Sequence, residues 1–190
     1  MKFKAILNLT VTLVCAANAP VASADVYTLP AGEVDLVGKV EVVVNGNAPT
    51  LADLARLNNL GHEEIRLANP TVDYWLVPTG ARVILPKRYI LPQARRKGLV
   101  LNVPEMRLYY FPEACNGEEE CEVATYPVAI GRMDWKTPLG TAKVTSKKAN
   151  PSWSPPESIR LEAEADGRYL PEFVPPGPDN PMGAYALYLD

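Results

Sequence analysis

The nucleophilic and metal chemistry open to this chain is bounded by three cysteines and one histidine in 190 residues. A thiolate with an imidazole beside it is the machinery of cysteine acyl transfer, and the same groups hold zinc. His62 has no second histidine and no thiol near it in sequence, and reads as a solvated residue at a helix end. Cys115 and Cys121 flank Asn116-Gly117-Glu118-Glu119-Glu120, a turn-forming acidic loop between two β-prone runs. One histidine and two close cysteines are too few ligands for a metal site, so these two thiols are expected to form a disulfide that staples a hairpin. No cofactor is expected.

Export makes that disulfide sustainable. Lys2 and Lys4 open the chain, Ala5 to Ala17 is apolar but too short to span a bilayer, and Ala22-Ser23-Ala24 offers a small-residue cleavage site. Residues 1–24 therefore read as a signal peptide, and the mature chain as starting near Asp25 without a transmembrane segment. Lipid anchoring at Cys15 fits less well, because Val14 stands where a small residue is wanted. Removing Lys2 and Lys4 from 19 basic residues leaves 17 against 22 acids, a net charge of −5. Nothing in that balance favours nucleic acid or anionic lipid as a partner.

The elements that would position these groups follow in order. Asp25 to Lys39 is a lead-in without clear periodicity. Glu41-Val42-Val43-Val44 reads as a strand closed by Asn45-Gly46-Asn47. Thr50 can cap a helix with Leu51, Leu54 and Ala55 on one face. After Gly61 a second short helix carries Glu63 and Glu64 in its first turn, buries Ile65 and Ala68, and stops at Asn69-Pro70. Residues 71–78 form a loop and 80–86 a closing strand. Residues 87–97 hold Lys87, Arg88, Arg95, Arg96 and Lys97 around Pro92 and read as a linker.

From Gly98 the chain turns β-rich. Leu99-Val100-Leu101-Asn102 is a strand, Met106 to Phe111 is bulky and aromatic, and Val123 to Ile130 is a second β-prone segment. Trp135-Lys136-Thr137-Pro138-Leu139-Gly140 is a turn in which proline fixes φ and glycine frees it, and Ala142 to Thr145 is a further strand. Residues 149–183 hold eight prolines and are expected to form functional loops; Trp153, Tyr169 and Phe173 argue against disorder there. The apolar run from Ala184 to Leu189 is a last strand.

Two resemblances follow. Thr50-Leu51-x-x-Leu54-Ala55, Leu67-x-Asn69-Pro70 and Pro78-x-Gly80-x-x-Val83-x-Leu85-Pro86 resemble the LysM module, which holds N-acetylglucosamine-containing glycans. The family's usual Gly-Asp-Thr is replaced by Gly46-Asn47-Ala48-Pro49-Thr50. On that resemblance Gly46, Asn47, Thr50, Asn69 and Pro70 are glycan-binding candidates. Met106-Arg107-Leu108-Tyr109-Tyr110, Tyr126-Pro127-Val128-Ala129-Ile130-Gly131 and Thr137-Pro138-Leu139-Gly140 resemble the first half of the YkuD-type L,D-transpeptidase domain (the ErfK-YbiS-YcfS-YnhG type). Trp135, Thr137, Pro138, Gly140, Trp153, Asn180 and Gly183 are then expected to border its substrate cleft.

The expectation is an α+β chain: a small βααβ LysM-like module at 40–86, a linker at 87–97, and at 98–190 the N-terminal part of a mostly-β YkuD-type catalytic domain, incomplete at its C-terminus. The resemblance implies a periplasmic acyltransferase that cross-links stem peptides or attaches an outer-membrane lipoprotein to peptidoglycan. Its partners would be glycan strands and stem peptides. The family nucleophile is a cysteine in a Ser-x-Gly-Cys-x-Arg motif, served by a histidine beside a glycine. Neither motif occurs in these 190 residues. No catalytic residue is assigned, and the chain is read as a truncated, inactive family member, with a non-catalytic peptidoglycan-binding protein as the alternative.

Overall fold

A computed structural model describes residues 24–32, 34–131 and 137–190. Residues 1–23, which hold nearly all of the expected signal peptide, and Trp135 lie outside the described residues. The chain divides into two compact units, Met1–Thr137 and Pro138–Asp190.

The first unit is built on a four-stranded antiparallel sheet: β1 (Asp25–Leu29), β6 (Cys121–Pro127), β5 (Arg107–Phe111) and β4 (Gly98–Asn102), in that spatial order. A separate two-stranded sheet pairs β2 (Leu36–Val44) with β3 (Arg82–Ile90) and brackets α1 (Leu51–Leu57) and α2 (His62–Ala68). Thr50 caps α1 as its sequence suggests, its Oγ1 accepting from the Asp53 amide at 3.0 Å, and Leu51, Leu54 and Ala55 are buried together. In α2, Ile65 is buried but Ala68 only half so.

Two apolar clusters fill this unit. One joins Leu51, Leu54, Leu60 and Ile65 of the helical region to Val83 and Leu85 of β3. The other joins Leu29, Val37, Tyr89, Leu91, Tyr109, Phe111 and Val123. Strand β3 therefore feeds both cores, Val83 and Leu85 into the first and Tyr89 into the second. Pro86 is tolerated inside it because a strand of a two-stranded sheet always has a free edge. Opposite Arg88, Gly38 has φ +72°, and a Cβ there would stand 2.0 Å from the Lys87 carbonyl oxygen and 3.0 Å from the Tyr27 ring. Only glycine lets β1, β2 and β3 approach this closely.

Three expectations about local structure are corrected. The lead-in contains β1 and the start of β2, because β1 alternates in burial without alternating in polarity: Val26 faces out and Asp25 is half-buried. Residues 87–90 are the end of β3, and Arg96 is bound to the unit through its guanidinium to Asp35 Oδ1 at 3.0 Å. The basic segment is held by tertiary partners that composition alone does not reveal. Val123 to Ile130 is a strand only as far as Pro127.

A disulfide joins Cys115 and Cys121 at the β5–β6 connection. Cys121 lies opposite Leu29 in the β1–β6 ladder, so the staple closes the β5–β6 turn at the end of β6 where β1 also pairs. Replacing both cysteines by serine is expected to cost about 2 kcal/mol on the loop-entropy model. Urea unfolding checks this, and an unchanged midpoint would contradict it.

The second unit pairs β7 (Val144–Ala149) with β8 (Tyr185–Leu189) and carries α3 (Glu157–Ala165). The proline-rich span thus contains a helix that starts directly after Pro155-Pro156, where a missing N–H costs nothing. The strand expected at 142–145 begins instead at Val144. All of β7 is exposed, and in β8 only Ala186 is buried.

Candidate functional site

The glycan-binding candidates sit on two loops whose shape is set by buried asparagines. Asn45 is 1% exposed; its amide donates to the carbonyls of Ala48, Val77 and Pro78, and its Oδ1 accepts from the Ala48 amide. This ties the 45–50 loop to residues 77–80, leaving Gly46 and Asn47 exposed at the bend. Asn69 is buried, donates to the Ile65 and Ile84 carbonyls, and accepts from the Ile84 amide. Its side chain joins α2 to β3 and turns away from solvent, while Pro70 beside it is exposed. Thr50 spends its hydroxyl on Asp53, donating to Oδ2 at 2.6 Å. Thr50 and Asn69 thus shape the loops, and Gly46, Asn47 and Pro70 are the candidates that face solvent.

The cleft candidates fall in both units. Thr137 Oγ1 accepts from the Gly131 amide at 2.9 Å. In the second unit, Pro138 and Gly140 are exposed, and Trp153 is half-buried and bridged to Val174 through backbone bonds in both directions. Asn180 is buried and donates to the carbonyls of Pro151, Val174 and Pro175, which fixes the loop carrying Trp153. Gly183 takes φ +68° at the entry to β8, its amide bonded to the Asn180 carbonyl.

Sequence reasoning missed a fully buried charged group in the first unit. Arg107 on β5 is fully buried, and its Nε and Nη2 donate to Glu64 Oε1 and Oε2 at 2.7 and 2.6 Å. Nη1 donates to Thr125 Oγ1 and Nη2 also to the Asn59 carbonyl. The guanidinium lies 4.0 Å from the Tyr89 ring centroid. Burial works against the Arg107 charge, but the Glu64 hydrogen bonds and the neighbouring groups outweigh it and hold its pKa above the ordinary value. Glu64 also accepts from the Gly61 amide at 2.7 Å, capping α2. One carboxylate therefore closes a helix and binds that helix to the sheet.

The phenols around this pair stay neutral. Burial, with Asp25 nearby, pushes Tyr27 up to about 12, and burial raises Tyr89 and Tyr109 as well. A phenol whose folded pKa exceeds its unfolded value stabilises the fold below the unfolded pKa and loses that contribution as pH rises toward the folded one. The chain is expected to lose stability between about pH 10 and pH 12. An equal urea midpoint at about pH 9 and about pH 11.5 would contradict this.

Beside the pair opens a cleft of about 400 Å³, lined by Ala52, Ala55 and Arg56 of α1, Asn59, Leu60, His62, Tyr74, and Tyr126 and Pro127 of β6. His62 Nδ1 and the Tyr74 hydroxyl share a hydrogen bond of 2.5 Å, their ring centroids 4.4 Å apart. The only sign of this wall in the sequence is Tyr74-Trp75, within a stretch read simply as a loop. Among the described residues no cluster of three histidine, cysteine or acidic side chains could hold a metal ion.

Residues 96–188 match the YkuD family, the L,D-transpeptidase catalytic domain. The chain is homologous to L,D-transpeptidases. It is 41% identical over 171 residues to the probable L,D-transpeptidase YbiS of Escherichia coli K12, covering 88% of this chain and 54% of that protein. The probable L,D-transpeptidases YcfS and ErfK/SrfK of the same strain are 38% and 39% identical over 171 and 166 residues, with 88% and 86% of this chain and 52% of each relative covered. The chain thus spans about half the length of the curated relatives it matches. Its described residues, mostly β with three helices, are consistent with an α+β fold for this L,D-transpeptidase homologue. No helix among its described residues is long and apolar enough to cross a membrane.

Proposed function

We propose that the chain works on peptidoglycan in the bacterial periplasm, as part of an L,D-transpeptidase that reaches that compartment by cleavage of residues 1–24. In this reading residues 40–86 are a LysM-like unit that holds glycan, and the residues from 98 onward belong to a YkuD-type catalytic domain. The observation that carries it is the reach of the similarity: 171 aligned residues at 41% identity extend well beyond the 96–188 domain match into the helical unit.

The parent reaction takes a thiolate to the carbonyl after the diamino acid of a stem peptide. A C–S bond forms, the C–N bond breaks, and D-Ala leaves with a proton on its amine. An acceptor amine, from a second stem or a lipoprotein lysine, then forms the new amide and releases the thiol. Within these 190 residues Cys115 and Cys121 are bound to each other, and Cys15 lies in the expected signal peptide. The chain alone is therefore proposed to be inactive in acyl transfer, its share being to bind wall and to frame the site. The same two bridged thiols favour the second reading, a peptidoglycan-binding protein without catalysis.

Sedimentation with purified sacculi tests the binding. Retention on sacculi is expected, and a chain left wholly in the supernatant would overturn the proposal. Release of D-Ala from a tetrapeptide donor by the 190-residue chain would overturn the assignment of inactivity.

A further inference from the structure

We infer that the cleft between the helix pair and the end of β6 is a separate binding subsite for a short peptide carrying a free carboxylate. In the peptidoglycan setting, on which this inference rests, that peptide is a stem peptide. The cleft is distinct from the loops bearing Gly46, Asn47 and Pro70, none of which lines it.

Its floor and wall are held in place before any ligand arrives. Asn59 is fixed on both sides: its carbonyl accepts from the buried Arg107 at 3.2 Å, and its amide donates to Asp25 Oδ1 at 3.2 Å. Leu60 is buried, and its amide is bonded to the Ala55 carbonyl. Tyr74 is held by His62, by its ring contact with Trp75 at 4.8 Å, and by the bond from the Leu51 amide to its carbonyl. A preformed concavity spares a ligand the cost of ordering its site. At about 400 Å³ it lies in the range of small-ligand pockets, with room for two or three amino-acid residues.

The lining selects the chemistry. Ala52, Ala55, Leu60 and Pro127 offer apolar contact suited to small side chains such as alanine methyls. Tyr74 and Tyr126 add aromatic faces with hydroxyl groups for amides. Arg56 supplies the charge: its side chain is 77% exposed, and its ion contact with Asp53 is long, 3.8 Å. A guanidinium held so weakly keeps its fork free for a carboxylate, which it meets through two parallel hydrogen bonds. The neighbouring acid Glu63 is already taken by Arg66, which donates to it from Nε and Nη2. Among the residues that line the cleft Arg56 is the only Lys or Arg, and none is an acid.

Titration calorimetry of the full chain with the sugar-free stem tetrapeptide, and in parallel with chitotetraose, tests the assignment. The tetrapeptide is expected to bind, and Arg56→Gln to weaken it about tenfold. Arg56→Lys should recover only part of that loss. Ala52→Phe, which fills the cleft from α1, should abolish tetrapeptide binding while chitotetraose binding is unchanged. Far-UV circular dichroism establishes that each variant is folded. Tetrapeptide binding that is absent, or equal in wild type and both Arg56→Gln and Ala52→Phe, overturns the inference, as does a loss confined to chitotetraose. Retention on sacculi with either of these results leaves the proposed function standing. Failure to sediment with sacculi, while the tetrapeptide still binds in an Arg56-dependent way, sinks that function and keeps the subsite.

Discussion

Glu64→Ala is expected to destabilise the first unit by about 3–5 kcal/mol, the range for removing one partner of a buried ion pair. The charge left behind is the reason. Arg107 is fully buried, so without Glu64 its guanidinium keeps only Thr125 Oγ1, the Asn59 carbonyl and the face of Tyr89. The Gly61 amide also loses its acceptor, which removes the cap from α2. A double variant, Glu64→Leu with Arg107→Met, should recover much of the loss, since apolar groups of similar size often replace a buried pair at little net cost. Urea unfolding followed by circular dichroism measures both. A loss below about 1 kcal/mol in Glu64→Ala would mean that the pair is solvated and that the helix is held to the sheet by other contacts.

Phe111→Ala should cost a similar amount, about 3–5 kcal/mol, through lost burial and the cavity left behind. Phe111 is fully buried at the end of β5, among Leu29, Val37, Tyr89, Leu91 and Val123. The shape of the transition is as informative as its midpoint. Because β3 feeds both cores, the helix pair and the sheet are expected to unfold together, so the amides of α1 and those of β5 should lose hydrogen-exchange protection at the same urea concentration. If the α1 amides kept their protection while those of β5 lost it early, the 40–86 segment would be an autonomous module. Its binding could then be studied apart from the rest.

Local chemistry was legible in the sequence wherever one short stretch carried the whole signal. Thr50 before Leu51-x-x-Leu54-Ala55 announced α1 and its cap, two cysteines around an acidic turn announced the staple, and unbroken runs of bulky apolar and aromatic residues announced β4 and β5. What escaped depends on partners far away in the chain. Arg107 reads as an ordinary polar residue of an exposed strand face until Glu64 is folded against it, and Asp25 gives β1 a polar inward position that pairs with Lys87 at 3.5 Å. Helix α3 was hidden by its prolines, which mark a loop when counted together and a helix start when Pro155-Pro156 is read by position. The candidate cleft was hidden for a similar reason, since its walls come from α1, the α2–β3 loop and the end of β6.

The place of β1 in the sheet also bears on how the chain comes to be folded. Asp25 lies opposite Thr125 and Leu29 opposite Cys121, so the earliest described strand has no partner until β6 has emerged. Pairing across so long a stretch of chain gives a high contact order and a slow closing step. A polypeptide delivered N-terminus first must carry Val26, Tyr27 and Leu29 as an open, sticky edge throughout that interval. Late zippering of this kind makes the β1–β6 ladder the closing step of the sheet, held without a covalent tie, since the Cys115–Cys121 bond joins β6 to the turn before it and not to β1.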